Sequence, residues 1–256
     1  MKLIQSRENP FFKELVKLAG SARQRSKAGQ TLLDGAHLLS AYLDAGYRPL
    51  HVLLSSSANA ECAGLLSRLV DVPVTQLDDR LFAELSELKT ASGIMALIGI
   101  PEPPTSAASF ALLLEDIQDP GNLGSMLRSA AAAGCDAVFL SQGCADAWSP
   151  RVLRAAMGGH FCLAIYESQD LQSVARGFFG TLLATSLQAT RTLYECDLTG
   201  NIAFMMGNEG AGLSDELLML ATHPVTIPMP GRVESLNVAA ATAICLFEAV
   251  RQRISC

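Results

Sequence analysis

Short apolar runs alternate along this chain with longer segments in which apolar residues recur every three or four positions. The short runs predict buried strands and the longer segments predict amphipathic helices. In the first hundred residues, strands are predicted at 32–33, 52–54, 72–74 and 93–100, and helices near 10–20, 35–45, 59–70 and 78–88. This rhythm predicts a small sheet covered by helices.

The same alternation resumes at residue 110. Strands are predicted at 110–114, 137–140, 181–184, 202–206 and 224–227, and helices at 122–134, 150–157 and 237–253. Strands that alternate with helices predict a mostly parallel sheet. Between the two regions, residues 101–109 hold three prolines and small polar residues, which is typical of a stiff, extended connector. We therefore predict two domains, 1–100 and 110–256, joined by a linker at 101–109.

The composition agrees with a well-buried α/β protein. Half of the 256 residues are apolar and 17% are charged, which excludes the disordered class. No apolar stretch approaches the roughly 20 residues that span a bilayer, and the first residues lack the apolar core of a signal peptide, so we expect a cytoplasmic protein. The seven cysteines form no C-x-x-C pair and the four histidines show no metal spacing, which favours reduced thiols and no metal site.

The net charge is −6, but its distribution is uneven. Residues 1–30 hold seven lysines and arginines against two glutamates. A basic segment on an acidic body can bind the phosphates of a nucleic acid. A solvated helix face explains the same charge equally well.

The first motif, Asp119-Pro120-Gly121-Asn122, follows the predicted strand 110–114. It is a turn in which Pro presets φ and Gly permits a positive φ, and Asn122 is predicted to cap the following helix. Apolar residues at 123, 126, 127, 130 and 131 predict a buried stripe on that helix. Arg128 lies off the stripe, near the end of the strands where ligands bind in open α/β sheets. A capped helix with a surface arginine is the purely structural alternative.

The second motif, Gly207–Gly212, follows the apolar run 202–206. Three glycines in six residues let the backbone turn sharply or approach a ligand closely. The order does not match G-x-G-x-x-G and there is no P-loop lysine, so phosphate binding is poorly supported. A glycine-rich turn is the simpler explanation, but Glu209 at the end of a buried strand requires a partner that offsets its desolvation.

The third motif runs from Ile227-Pro228-Met229-Pro230-Gly231 to Ser235-Leu236-Asn237-Val238. Ser235 and Asn237 are both natural helix caps, which is again the structural alternative. The helix that follows is apolar nearly all round. This pattern predicts burial on both sides, and hence a subunit interface.

The order, separation and identity of the three motifs resemble those of the SpoU (TrmH-like) branch of the SPOUT RNA methyltransferases, over essentially all of 110–256. More loosely, the first hundred residues resemble the RNA-binding accessory domain, related to a large-subunit ribosomal protein, that precedes many SpoU domains. The resemblance implies a C-terminal trefoil-knotted α/β methyltransferase domain, S-adenosylmethionine as the cofactor, a homodimer, and methylation of a ribose 2′-hydroxyl in RNA. The accessory domain favours ribosomal over transfer RNA, by analogy.

The resemblance also assigns roles to residues. The implied cofactor-binding residues are Thr185, Gly207, Ile227, Met229 and Leu236. The implied catalytic residues are Arg128, Asn122, Glu209, Ser235 and Asn237. The implied RNA-binding residues are Lys13, Lys17, Arg23, Arg25 and Lys27. Because a guanidinium keeps its proton, we expect Arg128 to hold the RNA phosphate and polarise the 2′-oxygen, with Glu209 supporting the loop and the arginine. One departure is Ala156, which occupies a position where the family commonly has serine.

Three other functions compete with this one. An RNA-binding assembly factor without catalysis would have the same fold, although Arg128 and Asn122 are both present. A Rossmann oxidoreductase requires a G-x-G-x-x-G after the first strand of the domain, which is missing. A methyltransferase that acts on a base uses the same cofactor and is distinguished only by its product.

Overall fold

A computed structural model describes residues 2–58, 61–88, 92–104 and 106–255, without the side chains of 61–63. Its contacts divide the chain into two compact units. The first unit consists of Met1–Pro101 and Trp148–Phe161, and the second of Glu102–Ala147 and Cys162–Cys256. Each unit contains its own sheet. The side chains of Cys62 and Cys256, which we predict to be reduced, lie outside the described residues.

The first unit has a five-stranded sheet in the order β1-β4-β3-β5-β2. Its N-terminal part comprises β1 (Lys2–Ile4), α1 (Pro10–Gly20), α2 (Ala22–Ala28), β2 (Gln30–Asp34), α3 (Ala36–Asp44), β3 (His51–Ser55), α4 (Glu61–Leu66), β4 (Val74–Leu77), α5 (Asp79–Leu85) and β5 (Ile94–Gly99). Strand β5 runs antiparallel to both β3 and β2, whereas β4 pairs in parallel with β1 and β3. The predicted helix-covered sheet is present, with β1 and α2 as elements that the sequence did not reveal.

The second unit has a six-stranded sheet in the order β11-β9-β10-β6-β7-β8, and every pair is parallel. Its elements are β6 (Phe110–Leu114), α6 (Pro120–Ala133), β7 (Ala137–Leu140), β8 (Ala164–Tyr166), α8 (Leu171–Gly177), β9 (Thr181–Thr185), β10 (Ile202–Met206), α9 (Asp215–Leu220), β11 (His223–Val225) and α10 (Val238–Ile254). The predicted parallel α/β sheet is confirmed. The sequence analysis did not predict three short elements, β8, α8 and α9. Each is too short to show a periodic pattern of apolar residues.

The central strands β6 and β10 bring two of the three motifs to one edge of the sheet. All residues of both strands are buried, as their unbroken apolar runs predict. Their register pairs Leu114 with Met206. Because parallel strands end at the same edge, the chain after Leu114 and the chain after Met206 emerge side by side.

Between β7 and β8, the chain contributes helix α7 (Pro150–Ala156) to the first unit. The Thr31 hydroxyl, fully buried in β2, donates a hydrogen bond of 2.7 Å to the Trp148 carbonyl. The Phe161 ring meets the Tyr42 ring edge-on at 5.1 Å between centroids. Sequence alone places residues 148–161 in the second domain, whereas these contacts place them in the core of the first unit.

Among the described residues, no helix has both the length and the apolarity needed to cross a bilayer. The same residues contain no cluster of three histidine, cysteine, aspartate or glutamate side chains arranged to hold a metal ion.

Candidate active site

A cavity of about 410 Å³ opens where β9, β10 and β11 end. Its walls come from the loops after these three strands, from α9 and from the start of α10. Five of the lining residues are those to which the resemblance assigns cofactor binding, namely Thr185, Gly207, Ile227, Met229 and Leu236. The second and third motifs, separate in sequence, therefore line one cavity.

The glycine loop, residues 207–213, forms one wall of this cavity. At Gly207 the backbone of Gly212 comes so close that a β-carbon would overlap it. The Asn208 side-chain oxygen accepts hydrogen bonds from the backbone N–H groups of Gly210 (2.9 Å) and Ala211 (3.1 Å). The glycines thus permit a tight fold-back that a side chain at Gly207 would prevent.

The charged side chains that line the cavity are both acidic. They belong to Glu209 and Asp215, and no lysine or arginine is among the described lining residues. A cavity of this charge favours a cationic ligand and disfavours the phosphates of a dinucleotide.

Beside the cavity, three of the predicted catalytic residues form a chain of hydrogen bonds. The Asn122 amide nitrogen donates to the Glu209 carboxylate. The Asn237 amide nitrogen donates to the Asn122 side-chain oxygen at 2.9 Å. Through this chain, one residue from each of the three motifs is connected.

The prediction that Asn122 caps α6 is wrong. The cap is Asp119, whose carboxylate accepts a hydrogen bond of 2.8 Å from the Asn122 backbone N–H, with Pro120 at the first helical position. An aspartate before a proline satisfies the helix start equally well. The Asn122 side chain is therefore free to bind Glu209 and Asn237.

Asn237 and Ser235 differ although both are plausible caps. The Asn237 side-chain oxygen accepts from the N–H groups of Ala239 (3.0 Å) and Ala240 (3.3 Å), so Asn237 caps α10, as the structural alternative has it. Ser235 is exposed, lines the cavity and makes no hydrogen bond with the described residues. Its hydroxyl remains available to a ligand.

Arg128 projects from the exposed face of α6 and is not one of the residues lining the cavity. Within the described part of the chain it makes no hydrogen bond and no ion pair. The predicted support of Arg128 by Glu209 is therefore absent, because Glu209 binds Asn122 instead. Among the described residues, no acceptor occupies the donors of the Arg128 guanidinium.

For one of the five predicted RNA-binding residues, Arg25, the structure contradicts the prediction. Arg25 is only 5% exposed, and its guanidinium donates to the carbonyl oxygens of Leu18 (2.5 Å) and Ala19 (3.0 Å) in the last turn of α1. Lys17, Arg23 and Lys27 are exposed, and Lys13 is exposed but paired with Glu8. A charged residue that closes a helix end leaves the same sequence signal as one that binds a phosphate.

Glu115 is a site residue that the sequence prediction missed. It follows the buried run of β6, and its two carboxylate oxygens accept hydrogen bonds from the backbone N–H and the hydroxyl of Ser214, each at 2.7 Å. The argument that singled out Glu209, a carboxylate at the end of a buried strand, applies equally to Glu115.

The described cysteines are free thiols, three of them buried. Burial raises the pKa of the Cys135 thiol to about 12, with a further contribution from the Asp136 carboxylate. Burial likewise raises the pKa of the Cys245 thiol to about 12. These two thiols are protonated at neutral pH and serve as small apolar side chains.

Comparison with known proteins identifies a family for each of the two regions of the chain. A profile of the SpoU rRNA Methylase family matches residues 109–247, and a profile of the MRM3-like substrate binding domain matches residues 9–96. The chain is 36% identical to an uncharacterized tRNA/rRNA methyltransferase of Synechocystis, over 98% of this chain and 94% of that protein. It is 32% identical to the 23S rRNA (guanosine(2553)-2'-O)-methyltransferase RlmP of Bacillus subtilis, over 96% of this chain and 98% of RlmP.

Among solved structures, the fold is similar to that of the SpoU methyltransferase AviRb from Streptomyces viridochromogenes in complex with AdoMet. The TM-score is 0.86 at 28% identity, over 97% of this chain and 99% of AviRb. The family and the fold class indicated by the three motifs are thereby confirmed. The chain belongs to the SpoU rRNA methylase family.

Proposed function

We propose that this protein transfers a methyl group from S-adenosylmethionine to a ribose 2′-hydroxyl of ribosomal RNA. The observation that carries the proposal is the convergence of the three motifs, with two around one cavity and all three connected by the Asn122–Glu209–Asn237 hydrogen bonds. The family and the activity named for RlmP support the same reaction.

The cavity suits the cofactor. Its volume of about 410 Å³ lies within the range of small-molecule sites. The acidic side chains of Glu209 and Asp215 match the positive charge of a sulfonium and would repel a pyrophosphate. The same charge argues against a dinucleotide-dependent oxidoreductase. When bound, the cofactor supplies an electrophilic methyl group.

In this proposal, the asparagines and Ser235 fix the geometry of the reaction. A methyl transfer to oxygen is an in-line displacement, so alignment accounts for much of the acceleration. Asn122 is held from both sides, by Glu209 and by Asn237, which leaves little freedom for its amide. Ser235, whose hydroxyl makes no hydrogen bond within the described chain, is positioned to contact a ligand in the cavity.

Arg128 is assigned to the RNA. A planar guanidinium binds a phosphate through two parallel hydrogen bonds. From there it polarises the adjacent 2′-oxygen, while the hydroxyl proton leaves to the phosphate or to water. Exposed Lys17, Arg23 and Lys27 on α1 and α2 are the proposed phosphate contacts of the N-terminal accessory domain, with Lys13 after release of Glu8.

We also propose that the protein is a homodimer that associates through its C-terminal unit. Helix α10 carries two large apolar side chains that are exposed, Phe247 (48% exposed) and Ile254 (80% exposed), one heptad apart. A second copy that covers these two side chains offers a reason why Arg128 is absent from the cavity of its own chain, since a partner's arginine can complete the site. The trefoil knot that the resemblance implies and the cytoplasmic location expected from the composition remain part of the proposal.

The first experiment is incubation with tritiated S-adenosylmethionine and separate pools of unmodified ribosomal and transfer RNA, followed by digestion to nucleosides. We expect label in a 2′-O-methylnucleoside from the ribosomal pool. Label in the transfer RNA pool would change the substrate class, and label on a base would change the acceptor. Cofactor binding without label in either pool would favour the non-catalytic assembly factor or a substrate that exists only during ribosome assembly.

A further inference from the structure

Glu115 is not part of the cavity wall, yet it holds the segment that forms it. Both of its carboxylate oxygens are bonded to Ser214, which directly follows the glycine loop 207–213. We propose that Glu115 is a positioning residue for cofactor binding, which fixes the far end of the glycine loop in its binding-competent shape. This inference rests on the proposed function, because it takes S-adenosylmethionine as the ligand of the cavity.

The near end of the same loop is held by the next residue along the chain. The Asn208 side-chain amide donates to the Asp116 backbone carbonyl at 3.0 Å. Asp116 has a φ of +55°, which is uncommon for a residue other than glycine. Its carboxylate accepts a hydrogen bond of 2.6 Å from the Ser141 hydroxyl, which holds it in that conformation. Two consecutive residues after β6 thus anchor positions 208 and 214.

The loop residues between these anchors all line the cavity. The shape of the cavity wall therefore depends on where its two ends are held. The backbone N–H of Glu115 donates to the Met206 carbonyl at 2.9 Å, so its side chain starts from a fixed point at the edge of the sheet. The backbone of Glu115 is therefore fixed to the neighbouring strand β10.

The Ser214 hydroxyl binds Glu115 in place of the helix-capping hydrogen bond that a serine usually makes at this position. Ser214 occupies the N-cap position of α9, where a serine hydroxyl ordinarily accepts from the helix backbone. Here it makes no such bond, because its hydroxyl donates to Glu115. Helix α9 itself is kept in place by Leu217, which is 1% exposed in the core of the unit. Loss of the carboxylate should therefore loosen the loop without unfolding the unit.

A loosened loop must be ordered when the ligand binds, so the apparent Kd equals the intrinsic Kd divided by the fraction of protein in the binding-competent conformation. Once the cofactor is bound, the loop is ordered again and the chemistry proceeds as before. The expected signature is a weaker affinity at nearly unchanged turnover. A residue that only stabilises the fold would lower the melting temperature without this separation.

The test compares Glu115→Gln with Glu216→Gln, measured by calorimetric titration of S-adenosylmethionine into the purified protein. Glu216 is a matched control, since it is exposed on α9 and makes no hydrogen bond or ion pair with described residues. For Glu115→Gln we expect Kd and the KM for the cofactor to rise by about tenfold or more, with kcat at saturation within about threefold. Glu216→Gln should match the wild-type protein.

Ser214→Ala and the double variant show whether the two residues act through each other. We expect Glu115→Gln/Ser214→Ala to bind no more weakly than Glu115→Gln alone, since the hydroxyl bond that Ser214→Ala removes is one of the two bonds to the Glu115 carboxylate. Hydrogen exchange at the amides of 208–213, without ligand, should accelerate in Ser214→Ala, a readout that remains if Glu115→Gln fails to fold.

Wild-type affinity for the cofactor in Glu115→Gln, or unchanged exchange of the loop in Ser214→Ala, would overturn the inference. Failure of the wild-type protein itself to bind S-adenosylmethionine would instead contradict the proposed function. The two failures are therefore distinguishable in the same titration.

Discussion

Asn122 and Glu209 are 87 positions apart in the sequence, and the amide of the first donates a hydrogen bond to the carboxylate of the second. Asn237, 115 positions beyond Asn122, donates to the other end of the same amide group. Each residue has an ordinary local explanation in its own motif. These local explanations do not account for the hydrogen bonds that connect the three side chains.

Replacement of Asn122 by alanine should remove the centre of this chain of hydrogen bonds. We expect kcat to fall by about 100-fold, the usual effect of losing one oriented polar group in an active site. The Kd for S-adenosylmethionine should change little, because Asn122 does not line the cavity. Gln118→Ala, exposed in the same β6–α6 connection, is the control and should retain activity. A parallel loss of cofactor affinity would show that Asn122 shapes the cavity instead.

Arg128→Lys tests whether the arginine acts as a planar, two-pronged group. A lysine preserves the charge but cannot form two parallel hydrogen bonds to a phosphate. We expect kcat to drop by about 100-fold or more while the calorimetric Kd for the cofactor stays the same. Near-normal turnover would contradict the phosphate-binding role. The equivalent change at the exposed Arg176 of α8 should have no effect.

Phe247→Glu should disrupt the proposed homodimer, because it replaces one of the two exposed apolar side chains of α10 by a charge. Light scattering coupled to size exclusion should then report a monomer with reduced methyl transfer. A dimer that survives both this change and Ile254→Glu would place the interface elsewhere.

A mixing experiment asks whether the site is shared between two copies. Neither Arg128→Ala nor Glu209→Ala is expected to be active alone. If Arg128 serves the partner's cavity, equal amounts of the two, unfolded and reassembled together, should recover about one quarter of wild-type activity, since half the dimers then contain one intact site. No recovery would place both residues in the same site.

The basic residues of α1 and α2 form two groups, and we expect one group to affect RNA binding and the other to affect stability. Joint replacement of Lys17, Arg23 and Lys27 by alanine should weaken RNA binding and lower the salt dependence of affinity by about two to three units of the log–log slope. Arg25→Ala should instead reduce the free energy of unfolding by about 2 kcal/mol, because it removes charged hydrogen bonds to buried carbonyls. Unfolding in urea and RNA titrations at several salt concentrations separate the two.

Thiol labelling tests the pKa shifts of the buried cysteines. Only the thiolate reacts with iodoacetamide, so a thiol whose pKa is raised to about 12 stays protonated and inert at pH 8. We expect exposed Cys162 to be alkylated in the native protein, and Cys135 and Cys245 only after denaturation. Peptide mass spectrometry identifies each site. Native labelling of Cys245 at the rate of Cys162 would contradict its burial.

The long elements and the motifs were readable from the sequence for physical reasons. The buried runs of β6 and β10 and the stripe on α6 leave clear periodic patterns, and they appear where expected. Strand β8 and helix α9, at three and six residues, are too short for such a pattern. The sequence also could not decide between equivalent chemistries. Asp119 and Asn122 are both good caps, and only the three-dimensional contacts show which of them closes the helix.

The sequence indicated which residues lie at the site, but not which hydrogen bonds join them. The five residues that the resemblance assigns to cofactor binding line one cavity. The attachment of Glu209 to Asn122, and that of Glu115 to Ser214, join residues far apart in sequence. Neither leaves a local signal beyond a carboxylate that needs a partner.

The segment Trp148–Phe161 has a consequence for any attempt to divide this protein at its proline-rich connector. The C-terminal fragment would carry Phe161 without the Tyr42 ring that it packs against, and the Trp148 carbonyl without the Thr31 hydroxyl that donates to it, since Tyr42 and Thr31 belong to the N-terminal part of the first unit. The N-terminal fragment would lose the cover over Thr31 and Tyr42. Exposed aromatic surface of this kind promotes aggregation. A cut at the connector would therefore divide residues that share one core, and we expect each fragment to aggregate when it is expressed alone.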